Sequence, residues 1–383
     1  MEAVTKTDVE TDVKTEQTLI LENREKRSIT VHLRKFRAGD ETGMIACISD
    51  EYGDTYFKTG FYDPEYLRKE AEEGIITFLI AETEEDGIIG MMILKEFYPK
   101  ESMCEIASQI FRKKYRGYGL AMPFFEYGMG LLLSRGYSAA FCLPVLFHDV
   151  TQRLLYRLGL RATGLVMNVF DMDHIMHSYN NGRNRKHSQG IQIRAVGKRD
   201  AGTLYLPDEH RAFCRDIYGS LGAEYTLADA QIHRQPEGAE RGEAKDPAER
   251  LPVYTEMEYA NDNLQHSLTV DIRRAGRDLV KRITKLHTRY PFKGKQTVVI
   301  FLNCNDPGAV WAYETLQNMG YFFTGLKPLC SEREYMVLHH EGEVEIYFED
   351  YWVSGEFANL IRYVEACYKE CRRQRNKKQA KNY

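Results

Sequence analysis

The six residues from Arg116 to Ala121 form a turn whose composition suits a phosphate group. Their sequence, Arg-Gly-Tyr-Gly-Leu-Ala, lies between a predicted strand and a predicted helix. A turn at the start of a helix presents backbone N–H groups at the positive end of the helix dipole, and small residues let a pyrophosphate approach the main chain. A glycine turn between a strand and a helix is also common in purely structural roles. The surrounding elements must therefore decide between the two interpretations.

The elements around this turn predict an α/β domain that begins near Ser28. Apolar residues that alternate or run continuously predict strands, and apolar residues at helical spacing predict helices. Asp40 is a predicted cap of the first helix, and Pro64 opens the second. The predicted order is β, α, α, β, β, β, α, β, α, β, with strands at 29–36, 75–82, 87–96, 103–111, 138–145 and 163–171 and helices at 40–48, from 64 onward, 120–135 and 150–158.

Several motifs in this order resemble those of the GNAT superfamily of acyl-CoA-dependent N-acyltransferases, over residues 29–170. Cys104-Glu105-Ile106 lies on the strand before the turn, with Glu105 eleven residues before Arg116. Tyr115 to Gly119 matches the family's loop, and Leu158-Gly159-Leu160 matches its later signature. The resemblance implies a twisted mixed sheet flanked by helices, acetyl-CoA as the acyl donor and a primary amine as the acceptor.

The resemblance also implies roles for residues near the turn. The backbone of Ile110 and Phe111 would pair with the pantetheine arm and polarise the acyl carbonyl. The pyrophosphate would be held by Arg116, Gly117, Tyr118, Gly119, Leu120 and Ala121. Glu105 is then the candidate general base, since a carboxylate near the acyl group can take the proton of the attacking amine. The competing interpretation of Glu105 is a strand carboxylate that faces solvent or pairs with a lysine.

Two later residues are candidates by position. The family often has a tyrosine that protonates the leaving thiolate four residues before the late glycine, where this chain has Leu155. Tyr156 is one residue away, about 100° around a helix, and is the candidate general acid, with a core aromatic as the alternative. His148 stands where the family often has a cofactor-contacting asparagine, and an imidazole can donate the same hydrogen bond. The alternative for His148 is a purely structural loop histidine.

The segment from Glu51 to Tyr56 is the candidate acceptor site. Its acidic and aromatic residues lie where the resemblance implies the helices and loop that cover the acceptor. Asp54 would attract an ammonium group, and the rings of Tyr52 and Tyr56 would bind it through cation–π contacts. A surface turn with packing tyrosines explains the same residues equally well.

Composition excludes several classes of function. The formal net charge of −4 and a pI near 6.3 lack the basic excess of most nucleic-acid-binding proteins. The apolar runs are shorter than the roughly 20 residues of a membrane-spanning helix. The eight cysteines do not have the spacing of a zinc site. We expect a cytoplasmic protein with free thiols, without a metal and without nucleic-acid or membrane partners; its oligomeric state is left open.

A short internal repeat predicts that the second half contains a related domain. Leu158 to Gly164 resembles Met319 to Gly325 at an offset of 161 residues, and each segment follows a predicted strand and helix. Chance similarity over seven positions is the competing explanation. The second phosphate turn would lie at 273–278, where Asp278 replaces the small last residue and opposes a pyrophosphate. We therefore expect a degenerate copy that braces the first domain, contributes an acceptor wall or senses a ligand.

The predicted architecture is two GNAT-like α/β (α+β) units in tandem. The predicted segments are a flexible arm at 1–26, an acetyltransferase domain at 27–178, a linker at 179–190, a degenerate domain at 191–355 with a mobile insertion at 235–251, and a C-terminal helix with a basic tail at 356–383. The predicted function is transfer of an acetyl group from acetyl-CoA to a primary amine by the first domain. The alternative is a non-catalytic protein that senses acyl-CoA and contacts a protein partner.

Overall fold

The computed structural model describes residues 16–97, 102–171, 186–197, 199–228, 247–291, 296–330, 333–340, 342 and 345–381. The chain divides into two compact units, Met1–Ala140 and Phe141–Tyr383. Each unit combines a β-sheet with helices, in agreement with the predicted α/β class. Among the described helices, none is both long enough and apolar enough to cross a membrane.

The first unit is an antiparallel sheet accompanied by three helices. Its elements are β1 Gln17–Glu22, β2 Ser28–Lys35, α1 Glu41–Tyr52, α2 Pro64–Glu73, β3 Ile76–Thr83, β4 Gly87–Lys95, β5 Met103–Phe111, α3 Ala121–Ser134 and the start of β6, Ala139–Cys142. Strands β1 to β5 pair in sequence order. The bounds agree with those predicted from residue 28 onward, except that α1 continues to Tyr52 and β6 is shorter than predicted.

Strand β1 corrects the prediction that residues 1–26 form a flexible arm. Residues 17–22 pair with β2, from Gln17↔Leu33 to Glu22↔Ser28. Leu19 and Leu21 are partly buried, while Ile20 between them is exposed. With so little apolar surface of its own, this edge strand depends on its pairing with β2, which a local pattern does not show. Residues 1–15 lie outside the described residues.

The core of the first unit lies between α1 and the sheet. Met44 and Ile48 of α1 pack in one buried cluster with Phe78, Ile80 and Met91 of the sheet. These side chains recur at helical spacing on α1 and at alternate positions on β3, so one face of each element is apolar. The packing places α1 over the strands that lead to the candidate phosphate turn.

Asp40 precedes α1 but does not cap it as predicted. Its carboxylate accepts hydrogen bonds from Arg34, with 2.6 Å between Nη1 and Oδ2, and from the backbone N–H of Arg37 at 2.7 Å. Arg34 also donates to Glu82, with 2.7 Å between Nε and Oε1. The Arg34 guanidinium is buried, and the hydrogen bonds that it donates to Asp40 and Glu82 raise its pKa. The charged group attaches the start of α1 to the sheet.

The second unit begins within β6. Its further elements are α4 Val150–Arg157, β7 Arg161–Asp171, β8 Lys186–Ala195, β9 Arg199–Leu204, α5 Arg211–Ser220, β10 Ala223–Leu227, β11 Glu256–Asp262, β12 Ser267–Arg274, α6 Leu279–Arg289, β13 Thr297–Asn303, α7 Ala309–Asn318, β14 Tyr321–Cys330, β15 Arg333–His340 and α8 Gly355–Lys381. Its sheet has the order β8-β7-β14-β15-β13-β12-β11, and β9 pairs with β10 separately.

The division between the units differs from the boundaries predicted at 178 and 191. Strand β7, which the sequence assigns to the first domain, pairs with β8 along its length and with β14. Residues 186–190 belong to β8 and not to a linker. The partners of β7 therefore all lie in the second unit. Residues 172–185 and 229–246, which contain most of the predicted linker and insertion, lie outside the described residues.

The predicted repeat lies at the centre of this second sheet. Gly164 of β7 is directly opposite Gly325 of β14, and these are the last residues of the two repeated segments. Each glycine follows a threonine whose hydroxyl donates to a carbonyl of the adjacent strand: Thr163 to Ile191 at 3.5 Å and Thr324 to Val337 at 3.1 Å. The two repeated segments therefore occupy equivalent positions in two β-hairpins.

Candidate functional site

Strand β5 contains a bulge immediately before the residues that were predicted to contact the donor. Ala107 pairs with Ile93 and Ile110 pairs with Met91, so Ser108 and Gln109 together oppose Met92. Ser108 has a φ of 51°, in the left-handed region that residues other than glycine seldom adopt. A bulge bends its strand and turns side chains toward new partners.

The two bulge residues reach different parts of the first unit. Gln109 donates from Nε2 to the carbonyl of Ala121 at 2.9 Å, which attaches β5 to the first residue of α3. The Ser108 hydroxyl lies 2.8 Å from Tyr56 Oη and 3.1 Å from Lys58 Nζ. The bulge therefore connects the candidate phosphate turn with the segment that was predicted to bind the acceptor.

The turn before α3 has the backbone conformation of an anion-binding loop. Gly117 and Gly119 have φ values of 88° and 76°, which favour glycine, and a Cβ on either residue would meet no atom within 4 Å. Within the described part of the chain, the backbone N–H groups of residues 117–121 donate to no protein acceptor. The first N–H groups of a helix have no partner within the helix. These donors are therefore available to a phosphate oxygen.

Carboxylates hold the residues that lead into this turn. The backbone N–H of Lys113 donates to Asp50 at 2.6 Å. The side chains of Lys114 and Tyr115 both donate to Asp86 at 2.6 Å, and these hydrogen bonds hold the pKa of Asp86 below its usual range. The position of the turn is thus determined by contacts with α1 and with the β3–β4 hairpin.

Arg116, the predicted phosphate ligand, forms an ion pair with Glu51 of α1. About half of the Arg116 side chain is exposed, whereas the Glu51 side chain is largely buried. The guanidinium therefore lies beside the turn with one carboxylate already bound. A phosphate at the turn would share Arg116 with Glu51 or displace it.

Glu105, the predicted general base, is partly buried on β5 opposite Lys95 of β4. It also interacts electrostatically with Lys58, which is partly buried. Desolvation lowers the pKa of Lys58 to about 8, and the negative charge of Glu105 opposes this shift. Glu105 and Lys58 thus form a charged pair of side chains beside the bulge.

The three predicted acceptor residues have different environments. Tyr56 is buried and its hydroxyl contacts Ser108, while its ring stacks on that of Tyr52 with 4.9 Å between centroids. Asp54 is exposed in the turn after α1. Tyr62 encloses this segment, since it accepts from the Tyr56 N–H and donates to the Gly53 carbonyl. Tyr52, Tyr56 and Tyr62 are thus held together by stacking and hydrogen bonds. Asp54 is the exposed carboxylate beside them.

Tyr156 and His148 lie in the second unit. The Tyr156 ring is 49% exposed and stacks with the Arg161 guanidinium, at 4.7 Å from the ring centroid, whereas the preceding Leu155 is buried. The backbone carbonyl of His148 accepts a hydrogen bond from Gln152 at 2.8 Å. Burial lowers the pKa of His148, which favours the neutral imidazole. Tyr156 is therefore a surface residue of α4 and not the core aromatic considered as its alternative.

The corresponding turn of the second unit, residues 273–278, has a different hydrogen-bonding pattern. The N–H of Ala275 donates to Asp306 at 2.7 Å, that of Gly276 to Thr255 Oγ1 at 3.1 Å and that of Arg277 to the Pro252 carbonyl at 2.8 Å. A Cβ on Gly276 would lie 2.3 Å from the backbone of Tyr254. The protein itself thus occupies the donors that are available in the first unit.

Sequence reasoning did not find Lys58, Ser108 or Gln109, and it placed Glu51 in the acceptor segment without its ion pair with Arg116. Lys58 could have been singled out, because it is a lysine among the aromatic residues from Tyr56 to Tyr62. The bulge at Ser108 and Gln109 could not, because it is visible only in the pairing of the strands. Among the described residues, no group of three or more His, Cys, Asp or Glu side chains is arranged to hold a metal ion.

Neither a family model nor a curated protein matches this chain. Similar solved structures include an N-acetyltransferase from Staphylococcus aureus Mu50, with 12% identity, a TM-score of 0.35 and coverage of 44% of this chain and 99% of that one. Spermidine/spermine N-acetyltransferase SpeG from Vibrio cholerae has 14% identity, a TM-score of 0.35 and coverage of 43% and 92%. Ribosomal-protein-S5-alanine acetyltransferase from Vibrio fischeri has 10% identity, a TM-score of 0.36 and coverage of 47% and 96%.

Proposed function

We propose that the protein is an N-acyltransferase that moves an acetyl group from acetyl-CoA to a primary amine. The observation that carries this proposal is the contrast between the two turns. Residues 117–121 offer consecutive N–H groups without a protein acceptor in the described chain, whereas at 275–277 the corresponding groups are occupied by the protein. Only the first turn is thus suited to a pyrophosphate.

In this proposal the turn and β5 bind the two ends of the donor. Arg116 and the amides of residues 117–121 bind the pyrophosphate. The backbone of Ile110 and Phe111, just after the bulge, binds the pantetheine arm and the acyl carbonyl. The hydrogen bond from Gln109 to Ala121 supports this assignment, because it attaches the strand directly to the turn. His148 is proposed as a further cofactor contact.

The acceptor amine would be bound by Tyr52, Asp54 and Tyr56. Glu105 takes the amine proton as nitrogen attacks the thioester carbon, and the bond between carbon and sulfur then breaks to release CoA. Tyr156 is the proposed donor of a proton to the departing sulfur. The position of Glu105 on β5 supports its role, because it puts a partly buried carboxylate on the same strand as Ile110 and Phe111, the proposed contacts of the acyl carbonyl. Action in the cytoplasm remains a prediction.

Glu105→Gln tests the catalytic part of the proposal. We expect kcat to fall by about a hundredfold or more, the usual effect of losing a general base. Binding of acetyl-CoA should be unchanged, since the substitution keeps the shape of the side chain. The measurement is release of free CoA from acetyl-CoA with a panel of primary amines, beside calorimetric binding of acetyl-CoA. Glu84→Gln, in the exposed β3–β4 turn, is the control with the same change of charge.

The same measurements distinguish the alternative function. Tyr156 is exposed and stacks on Arg161, so the candidate general acid is not enclosed. This favours a sensor, which needs no proton donor for a leaving thiolate. A sensor binds acetyl-CoA but releases no thiol with any amine. Retention of full kcat in Glu105→Gln would instead exclude Glu105 as the base.

Glu51→Gln should strengthen binding of acetyl-CoA. The substitution removes a carboxylate from beside the turn and releases Arg116 for the pyrophosphate. We expect a gain of about 1 kcal/mol, roughly fivefold in Kd. Titration calorimetry at low and high salt measures the effect, which should shrink as salt screens the charges. Glu72→Gln, an exposed carboxylate of α2, should leave Kd unchanged; weaker binding in Glu51→Gln would show that Arg116 needs Glu51 to stay in place.

A further inference from the structure

Lys58 is held in an apolar environment beside the β5 bulge. It precedes a short 3-10 turn, Thr59–Tyr62, and its ammonium nitrogen lies 5.6 Å from the ring centroid of Phe57 and 5.2 Å from that of Phe61. Among the described residues the only hydrogen bond of its ammonium group is to Ser108 Oγ, at 3.1 Å. A protonated lysine has three N–H donors, and the hydrogen bond to Ser108 satisfies one of them.

The charges around Lys58 do not restore the usual preference for the ammonium. Glu105 on β5 favours the charged form, whereas Lys95 on β4 opposes it. The Tyr56 hydroxyl contacts the same Ser108 hydroxyl. Desolvation is the largest effect and lowers the pKa of Lys58 to about 8. A useful fraction of the side chain is thus a neutral amine near neutral pH, the form in which lysine is a nucleophile.

The bulge places this amine next to the proposed donor site. Ser108, which binds Lys58, is followed by Gln109, which binds Ala121 at the start of α3, and then by Ile110 and Phe111. Lys58 and the phosphate turn are therefore attached to consecutive residues of one strand. The proposed path of the pantetheine arm along β5 passes the residue that holds the Lys58 nitrogen.

We propose that Lys58 is a self-acylation site, which takes the acyl group from acetyl-CoA bound at the turn. The inference rests on the proposed function, because it needs a bound thioester. The Lys58 nitrogen attacks the thioester carbon, a carbon–nitrogen bond forms and the carbon–sulfur bond breaks. The amine proton ends on the departing sulfur, so the products are an acetyl-lysine amide and free CoA. The modification removes the cation beside Glu105 and blocks further reaction at Lys58.

Other lysines of the first unit are unlike Lys58. Lys114 donates to Asp86, and this hydrogen bond raises the pKa of Lys114. Lys69 is mostly exposed on α2 and forms an ion pair with Glu73 at 3.6 Å. Lys114 keeps the ammonium form to higher pH than Lys58 does. Reaction at Lys58 should therefore dominate near neutral pH.

The test is incubation of the full chain with acetyl-CoA, followed by intact mass measurement and peptide mapping. We expect one acetyl group per chain, on Lys58, and its loss in Lys58→Arg but not in Lys69→Arg. Gly119→Glu, which disrupts the donor turn, should slow acetylation of Lys58 at least tenfold. The rate should rise roughly tenfold between about pH 7 and 9 and then level off, whereas exposed lysines continue to rise.

Separate outcomes would overturn the inference and the proposed function. A protein that binds acetyl-CoA and releases CoA with amines, but leaves Lys58 unmodified, retains the function and excludes self-acylation. If Lys58 is acetylated at an unchanged rate in Gly119→Glu, it reacts with acetyl-CoA that is not bound at the turn. This result also excludes the inference. If the wild-type chain does not bind acetyl-CoA, both the proposed function and the self-acylation of Lys58 are excluded. If Lys58→Arg does not fold, site mapping and the pH profile of the wild-type chain give the same decision.

Discussion

Replacing Gly119 by glutamate should weaken binding of acetyl-CoA at least about a hundredfold. The residue has a φ of 76°, where any side chain is strained, and the new carboxylate would lie among the N–H groups of residues 117–121. Like charges that meet at a binding site cost several kcal/mol. With about 3 kcal/mol from the carboxylate alone, the affinity falls roughly a hundredfold, and the backbone strain adds to this loss. Titration calorimetry with acetyl-CoA measures the change.

The internal repeat supplies a matched control for this substitution. Arg277→Glu places the same carboxylate in the second turn, where Arg277 is exposed and its N–H is already bound to Pro252. We expect the affinity for acetyl-CoA to stay within about twofold of wild type, since surface substitutions have small effects. Binding that survives Gly119→Glu combined with Arg116→Glu would contradict both the enzyme and the sensor. Equal losses from Gly119→Glu and Arg277→Glu would place the donor elsewhere.

Replacing Gly325 by alanine should destabilise the second unit strongly. A Cβ on Gly325 would lie 2.4 Å from Gly164 Cα and 2.6 Å from the Thr163 carbonyl, and the φ of Gly325 is 122°. Overpacking and backbone strain each cost about 1–3 kcal/mol, so we expect a loss near 4 kcal/mol. For a unit of this size the unfolding temperature should fall by on the order of 10 °C. Calorimetry and denaturant unfolding measure the effect.

A second substitution across the same pairing gives a sharper test. Gly164→Ala alone is also costly, because its Cβ would lie 2.7 Å from the Leu326 carbonyl. The double variant should cost less than the two single losses together, since either Cβ forces β7 and β14 apart. Gly219→Ala is the control, because Gly219 lies in α5 and a Cβ there meets no atom within 4 Å. Additive losses, or a wild-type unfolding temperature in Gly325→Ala, would show that the two glycines are not closely opposed.

The first-unit elements were largely predictable because their signals are local. Apolar alternation indicated β3 and β4, and glycine and proline marked the ends of helices. The candidate turn was equally visible, because two glycines before an apolar helix are a local pattern. The prediction for Asp40 was wrong because its carboxylate accepts hydrogen bonds from the Arg34 side chain and from the backbone N–H of Arg37, and makes none to the helix.

The second unit was predicted less well because its pairings join distant residues. The repeat itself was visible, but nothing local in Arg161–Asp171 shows that this strand pairs with β8 and β14. The boundaries at 178 and 191 were wrong for that reason. Strand β8 was missed at its start because the first residues of Lys186–Ala195 are polar, and burial by neighbouring strands stabilises them.

The sequence by itself determined that this protein carries a glycine turn between a strand and a helix, and it predicted a second, altered copy at 273–278. Those features depend on residue types and on spacing along the chain. Only the tertiary structure decided which turn keeps its N–H groups available, because Asp306 and Thr255 reach the second turn from other segments. It alone also brought the Lys58 ammonium to Ser108 of the β5 bulge, because desolvation and hydrogen bonding depend on neighbours in space, which residue order does not specify.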